Sequence, residues 1–422
     1  MKASRIFEIM RQPVFWWIGF VLVLISAGLI GATIVFTQGL HVTNLTDLVP
    51  WGLWIGIDLS SIALSAGAFL LSAAVYLLGI KKLEPVARTA VFVGLIGYSM
   101  ACMTLLLDIG RPDRFWHGFV YWNIHSPLWE VTMCVGLYFT VLALEVIPII
   151  GNSEPMQARW PNLGDKMSGV HRFAPFLALA GLSFSMLHQS SLGATYGVLK
   201  ARPFWYKPGL AVLFMASAIV AGLALTVLVS KVAGHLSKRV TVRDDLLDTV
   251  SKIIAWAQVV FLYLRFWDLL GAEYTHMPGR TEALHMITNG SLAMNFWGGE
   301  IIFGIVVPMI ILLSSRLRSD ERLHFLALAL VVGGLIAYRW NTLMAGQLVI
   351  LADLTQGTTV SYTSYLPSLI EIVVGAGVIA FGALAVTLGI RYFNIVDHSG
   401  VEEPVPQMDV TPAPAQPSLA GD

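Results

Sequence analysis

Apolar residues gather along this chain in long runs separated by short polar joints. A helix of about 20 largely apolar residues crosses a bilayer. Ten runs reach that length, near 14–37, 52–80, 88–108, 127–150, 172–190, 208–230, 249–270, 293–315, 323–344 and 367–391. The first is longer than a signal-peptide core and has no small-residue cleavage site behind it, so it is expected to be retained as a helix. The pattern predicts an all-α integral membrane protein of ten transmembrane helices. Helices two to five (about 52–190) and six to nine (about 208–344) are expected to form two four-helix bundles, flanked by the first and last helices. Residues 1–13 read as a cytoplasmic interfacial segment, and the Pro-rich, acidic stretch 392–422 as a disordered cytoplasmic tail.

Composition agrees with burial in lipid. Charged residues make up 12% of the 422-residue chain, against roughly 25% in soluble domains. That deficit excludes a nucleic-acid binder or a solvated enzyme. The net charge is zero, so bulk attraction names no partner. The two cysteines, Cys102 and Cys134, lie in apolar runs and cannot build an iron–sulfur site, so such chemistry belongs to another chain.

Basic residues sort strongly by side. The segments on the amino-terminal side of the ten helices hold 18 Lys and Arg, and the opposite segments hold 6. Cytoplasmic loops retain positive charge, so both termini are expected in the cytoplasm. The outer segments 109–126, 191–207, 271–292 and 345–366 are long and rich in Trp, Tyr, Pro and Gly. They suit an interface belt, or better a docking surface for an extracytoplasmic subunit.

An ionisable group inside a spanning helix is expensive unless it faces protein or water, so each one is a functional candidate. Asp58 is expected about two turns below the outer face, Asp108 at the outer exit of the third helix, Glu130 on the first turn of the fourth, and His188 near the outer end of the fifth. Four proton-active groups thus share one outer slab of the first bundle. Arg111 and Arg114, just beyond Asp108, are their expected counter-ions. The second half carries Arg265, Asp268, Glu300, Arg339 and Glu371, for which structural pairing is the plainer reading, Arg265 and Asp268 being spaced i, i+3. A lipid-soluble quinone would use such a slab, because its headgroup exchanges two protons while its tail stays in hydrocarbon. An ion-coupled transporter would more often place acids at the midplane.

Asp58, Ser61, Ser65 and Ser72 fall within about 60° of one another at roughly 100° per residue. The stripe either relays protons inward or lets helices pack closely, the commoner use of small residues at this spacing. Of ten histidines, only His188 lies well inside an expected helix. A transverse haem pair needs four, so neither haem nor metal is expected.

Five motifs in order carry a resemblance: Pro50-Trp51-Gly52-Leu53-Trp54-Ile55-Gly56-Ile57-Asp58; Leu107-Asp108-Ile109-Gly110-Arg111-Pro112-Asp113-Arg114-Phe115-Trp116; Ser126-Pro127-Leu128-Trp129-Glu130; Tyr338-Arg339-Trp340-Asn341; and Pro367-Ser368-Leu369-Ile370-Glu371. Over roughly residues 50–390 the chain resembles the polysulfide reductase NrfD family of quinone-reactive membrane subunits, in particular its ten-helix branch. The resemblance implies two four-helix bundles, no cofactor in this chain, and a quinone site near the outer face of the first bundle. It also implies an iron–sulfur partner that serves a large catalytic subunit, often a molybdopterin enzyme or a hydrogenase. Asp108, Arg111 and Glu130 match family motifs, and Asp58 closes the first one; His188 rests on depth alone.

The expected function is therefore that of a quinone-reactive anchor in a multisubunit respiratory oxidoreductase of the inner membrane, using menaquinone or ubiquinone. Glu130, Asp108 and His188 handle protons, and Asp58, Arg111, Trp54 and Trp129 line the headgroup. Two alternatives stand beside it. One is a purely structural anchor, and the other is a proton or ion translocator using Asp268, Glu300, Arg339 and Glu371, which with Ser61 and Ser65 make up the expected proton path.

Overall fold

The computed structural model describes residues 13–236, 243–354, 357–393 and 395–396. The expected interfacial segment and most of the expected tail lie outside the described residues. The first tail residues are packed: Ile395 and Val396 are buried, and Thr89 Oγ1 donates to the Ile395 carbonyl at 2.7 Å.

Ten helical spans among the described residues are long and apolar enough to cross a membrane. Helix α1 is Pro13–Gln38. The second span consists of two rods, α2 (Leu53–Leu64) and α3 (Gly67–Tyr76). Then follow α4 (Glu84–Asp108), α5 (Pro127–Gly151), α6 (Ala174–Gly197), α7 (Gly209–Leu236) and α8 (Asp244–Tyr274). The eighth span opens with a π-helical stretch, α9 (Asn295–Val306), and continues as α10 (Val307–Leu313). Helix α11 is Glu321–Leu348 and α12 is Leu369–Tyr392. Between them an antiparallel hairpin pairs β1 (Val349–Leu354) with β2 (Gly357–Tyr362). Successive spans reverse direction, so the connections 39–52, 109–126, 198–208, 275–294 and 349–368 share one face, the distal face, opposite a near face.

Local chemistry sets the helix starts. Pro127 at the first helical position of α5 follows Ser126, whose hydroxyl accepts from the Trp129 amide. Asp320 caps α11, and Ser368 with Glu371 forms a capping box on α12. Packing then closes two rings: α2/α3, α4, α5 and α6 surround one core, and α7, α8, α9/α10 and α11 another. Helix α7 lies against α2, α3 and α4, and α11 against α2, while α1 pairs with α12 on the flank.

Lipid supplies no hydrophobic drive between helices, so close approach of backbones does the work. One of the tightest crossings joins the bundles, where a Cβ on Gly222 would lie 2.2 Å from the Gly67 nitrogen. A side chain there must push α7 off α3, an overpacking cost of about 1–3 kcal/mol. Gly222→Ala is therefore expected to lower the thermal midpoint of the detergent-solubilised protein. Gly333→Ala, with nothing within 4 Å of the new methyl, leaves it unchanged; equal midpoints would show that the seam is not set by this contact.

The second span, expected as one helix, is broken into two rods, and α6 departs from expectation at its distal end. Helix α6 runs to Gly197 rather than ending near 190, because its polar residues serve the helix. Ser190 and Thr195 hydroxyls bond back to carbonyls one turn earlier, and Gly193 lies against the Ala211 backbone. His188 is consequently deeper than the sequence implied. The segment 191–207 is helical only as far as Gly197, and 271–292 contains the short helix Arg280–Thr288.

Candidate functional site

Asp58 sits on α2, 3% exposed, and Asp108 ends α4, half-buried. At about 1.5 Å per residue, Asp58 is ~8 Å below the distal end of α2 and His188 ~14 Å below that of α6. Each carboxylate keeps one buried oxygen, Oδ1, without a hydrogen-bond partner, and His188 Nε2 is likewise unpaired. Asp58 lies within electrostatic reach of Asp108, and Asp108 of Glu371. His188 Nδ1 and the Tyr98 hydroxyl are 2.6 Å apart. When the tyrosine donates, the ring proton sits on Nε2 and points to an open valence. Tyr98 in turn faces Asp58 electrostatically and stacks edge-on against Tyr138, with ring centroids 4.7 Å apart. Buried polar atoms left unpaired are rare in native folds. Fifteen such atoms occur among the described residues, and these three, on α2, α4 and α6, are linked through Tyr98 and through the electrostatic reach of Asp58 to Asp108.

Glu371 roofs this region. It accepts hydrogen bonds from Tyr365 OH, from the Asn44 amide at 3.0 Å and from the Ser368 amide at 2.8 Å. Burial and the Glu371 carboxylate push the Tyr365 hydroxyl above its ordinary range, so it remains a donor. Trp54, 1% exposed, donates Nε1 to the Glu371 carbonyl at 3.1 Å. The indole braces α2 to α12 with Val35, Leu107 and Val374 packed round it.

Arg111 does not serve as the counter-ion of Asp108. It stands in an exposed loop and grips Asp113 through two hydrogen bonds of 3.0 Å, holding that carboxyl below its ordinary range. The two-residue spacing favours this local fork over a reach back into the helix. Arg114 also lies nearest Asp113, at 4.0 Å. Glu130 is half-buried on the first turn of α5, where the helix dipole favours an acid. Among the described residues it shares no hydrogen bond or ion pair with Asp58, Asp108 or His188. Trp129 packs against Trp122 at 5.5 Å, its Nε1 unpaired.

The serine stripe is interrupted. The Ser65 hydroxyl bonds the Ser61 carbonyl at 2.8 Å, and a Cβ on Gly97 would lie 2.2 Å from it, so α4 presses directly on this position. Ser61 is buried beside it. A different polar line runs toward the near face. Tyr138 lies beside the Ser185 hydroxyl and Glu145 beside that of Ser72. Ser72 and Glu145 border a near-face cavity of about 300 Å³ that also holds Tyr76, Glu84, Arg88 and His171.

The second bundle looks different. Arg265 binds Glu300 at 2.8 Å and Asp268 at 2.9 Å; Lys207 binds the other Asp268 oxygen at 2.6 Å, and Asn341 binds Glu300 at 2.7 Å. Two cations balance two anions. The i, i+3 pair expected from sequence is present. Arg339 stands apart, donating to the Phe214 carbonyl at 2.9 Å and to Ser217 Oγ at 3.1 Å, 3.7 Å above the Phe214 ring.

Residues 41–351 match the family described as polysulphide reductase, NrfD. The chain belongs to the NrfD family. The matched stretch contains every candidate above except Glu371 and its neighbours. The chain is 32% identical over 391 residues to the menaquinone reductase integral membrane subunit of Nitratidesulfovibrio vulgaris, covering 90% of this chain and 91% of that one. It is 24% identical to the Hdr-like menaquinol oxidoreductase integral membrane subunit of Archaeoglobus fulgidus, across 88% and 91% of the two chains. The probable Ni/Fe-hydrogenase 2 b-type cytochrome subunit of Escherichia coli is 26% identical, across 74% and 77%.

Several groups in this NrfD protein escaped the sequence reading. Tyr98, Tyr138 and Tyr196 looked like ordinary apolar-helix aromatics, and only their depth inside helices facing Asp58 marks them. Glu145 lies toward the near end of α5, away from the other first-bundle acids, and becomes intelligible only with the near-face cavity. Two buried imidazoles occur among the described residues, His188 and His324. They sit in different bundles, bonded to Tyr98 and to Ser251 at 2.7 Å. Among the described residues no two buried imidazoles face one another.

Proposed function

We propose that this chain is the quinone-reactive membrane subunit of a respiratory oxidoreductase of the inner membrane. It exchanges electrons between an extracytoplasmic iron–sulfur subunit and the quinone pool, the soluble substrate being handled by a large catalytic subunit. The observation that carries this reading is the trio of buried, unpaired polar atoms on Asp58, Asp108 and His188, which lie between the distal face and the middle of the first bundle. The menaquinone reductase and menaquinol oxidoreductase relatives, each aligned over most of the chain, support it and make menaquinone the first choice over ubiquinone. The distribution of Lys and Arg supports cytoplasmic termini and a partner on the distal side.

A quinone takes up or releases two protons with two electrons. In this reading Asp58 and Asp108 lend and receive protons at the headgroup, and His188, steered by Tyr98, holds one carbonyl oxygen through Nε2. Glu130 passes protons at the distal rim, while Trp129 and Arg111 border the entrance. The polar line from the near-face cavity through Glu145, Ser72, Ser185, Tyr138 and Tyr98 supports supply of protons from the cytoplasmic side, which would make turnover electrogenic. The separation of the two buried imidazoles supports the haem-free reading. Asp268, Glu300 and Glu371, each satisfied by fixed partners, suit structural roles better than proton carriage.

Gentle solubilisation of the native complex, followed by organic extraction and a reduced-minus-oxidised spectrum of the isolated chain, tests this. The expected result is an iron–sulfur subunit and a larger catalytic subunit co-purifying with quinone, and no haem band from this chain. A chain that purifies alone and quinone-free would overturn the redox role in favour of ion translocation.

A further inference from the structure

On the distal face, over the seam between the two bundles, lies an open recess of about 450 Å³ that the proposed chemistry does not use. Its floor is aromatic and fixed. Trp51 and Trp205 lie 5.6 Å apart, with Tyr196 against both at 5.2 and 4.8 Å. Gln347 clamps Trp51 by accepting from its amide at 3.0 Å and donating to its carbonyl at 2.8 Å. Trp205 donates Nε1 to the Thr342 carbonyl at 2.7 Å, and only a glycine fits beneath it, since a Cβ on Gly346 would lie 1.9 Å from its ring. Three separate segments are thus locked into one rigid platform.

The rim is cationic. Lys200 is exposed and in no ion pair among the described residues. Arg202 is held by the carbonyls of Gln347 and Leu48, at 3.0 and 2.9 Å, and Arg280 beside it by that of Pro203 at 3.0 Å. No described carboxylate neutralises any of the three; the exposed Asp47 is the acid next in sequence to the Leu48 carbonyl. By contrast, the aromatic loop 109–126 pairs its own charges, Arg111 with Asp113, and exposes Phe115, Trp116, Tyr121 and Trp122, a composition suited to lipid headgroups. Beneath the recess, Tyr196 lies within electrostatic reach of Asp58 and Asp108.

We propose that this seam recess, rather than the loop 109–126, seats an acidic surface loop of the extracytoplasmic electron-transfer subunit. Carboxylates of that loop meet Lys200 and Arg202, and an apolar or aromatic residue fills the space above Trp51. A rigid aromatic floor with a charged rim is the form of a specific interface, and the unpaired cations supply steering and register. The inference rests on the redox reading given above, because it takes its partner from it.

The test uses the assembled complex in membranes. A photo-cross-linking residue at Val198, 54% exposed on the recess wall, is expected to capture the electron-transfer subunit, and one at Tyr121, 65% exposed, is not. Lys200→Glu is expected to weaken retention of that subunit on washed membranes about tenfold or more at low ionic strength. Lys200→Gln should give an intermediate loss, and both differences should shrink as salt screens them. Capture from Tyr121 but not from Val198, or retention independent of the charge at 200, overturns the proposal. Failure of the redox reading looks different: the partner still cross-links at 198, yet quinone turnover driven by an artificial donor is absent.

Discussion

Asn in place of Asp58 is expected to lower quinone-linked turnover by about 10²-fold or more, the range a lost general acid–base group commands. Assembly is expected to survive, because the side chain is in no ion pair among the described residues and its amide counterpart has nearly the same shape. The loss should appear in kcat more than in KM, since Asn still accepts hydrogen bonds at the headgroup and lacks only the exchangeable proton. Steady-state reduction of a short-chain quinone by the isolated complex measures it. A turnover within about threefold of the wild type would remove Asp58 from the proton chemistry, since so small a change lies far below that range. Asp108→Asn should behave similarly.

The second large effect is on stability. Arg265, 1% exposed, bridges Glu300 on α9 and Asp268 on its own helix. Replacement by Met keeps the stem's volume but leaves two carboxylates facing one cation, Lys207. Removing one partner from a buried ion network costs about 3–5 kcal/mol. Arg265→Met is therefore expected to abolish accumulation of the folded protein in membranes or to lower its detergent unfolding midpoint sharply. The triple change Arg265→Met, Glu300→Gln, Asp268→Asn would leave Lys207 without a carboxylate and is expected to recover only part of the loss. A single variant of unchanged stability would mean that water already screens the site.

Run length alone shows all ten spans, because a bilayer demands a fixed apolar thickness and lets few other patterns satisfy it. Asp58 and Asp108 were legible for the same reason, being charges where hydrocarbon forbids them. Side-chain partnerships were not. Arg111 stands three residues beyond Asp108, and nothing in one dimension says that it prefers Asp113. The polar end of α6 read as a helix end, whereas Ser190 and Thr195 hide their hydroxyls against their own backbone. Tyr98 and Tyr138 were invisible as polar groups, because tyrosine is common in apolar helices and only tertiary packing turns the hydroxyls toward His188 and Ser185. Glu371 stood out as a charge, but its role as a cap needed the loop residues Asn44 and Tyr365 brought to it.

The break between α2 and α3 ties two distant places together. At Ala66 the backbone amide bonds to the Ala63 carbonyl, one residue short of the helical partner, so the carbonyl of Ile62 is released. Gln189 Nε2 takes it at 3.0 Å, and Gln189 is the neighbour of His188 on α6. The distal rod that carries Asp58 is thereby fastened to the segment that carries the imidazole, while the near rod is held to α7 through the Gly67–Gly222 contact. The joint at Ser65–Ala66 thus supplies the carbonyl that ties the Asp58 rod to the His188 segment, so the spacing of the two groups is set where the second span breaks.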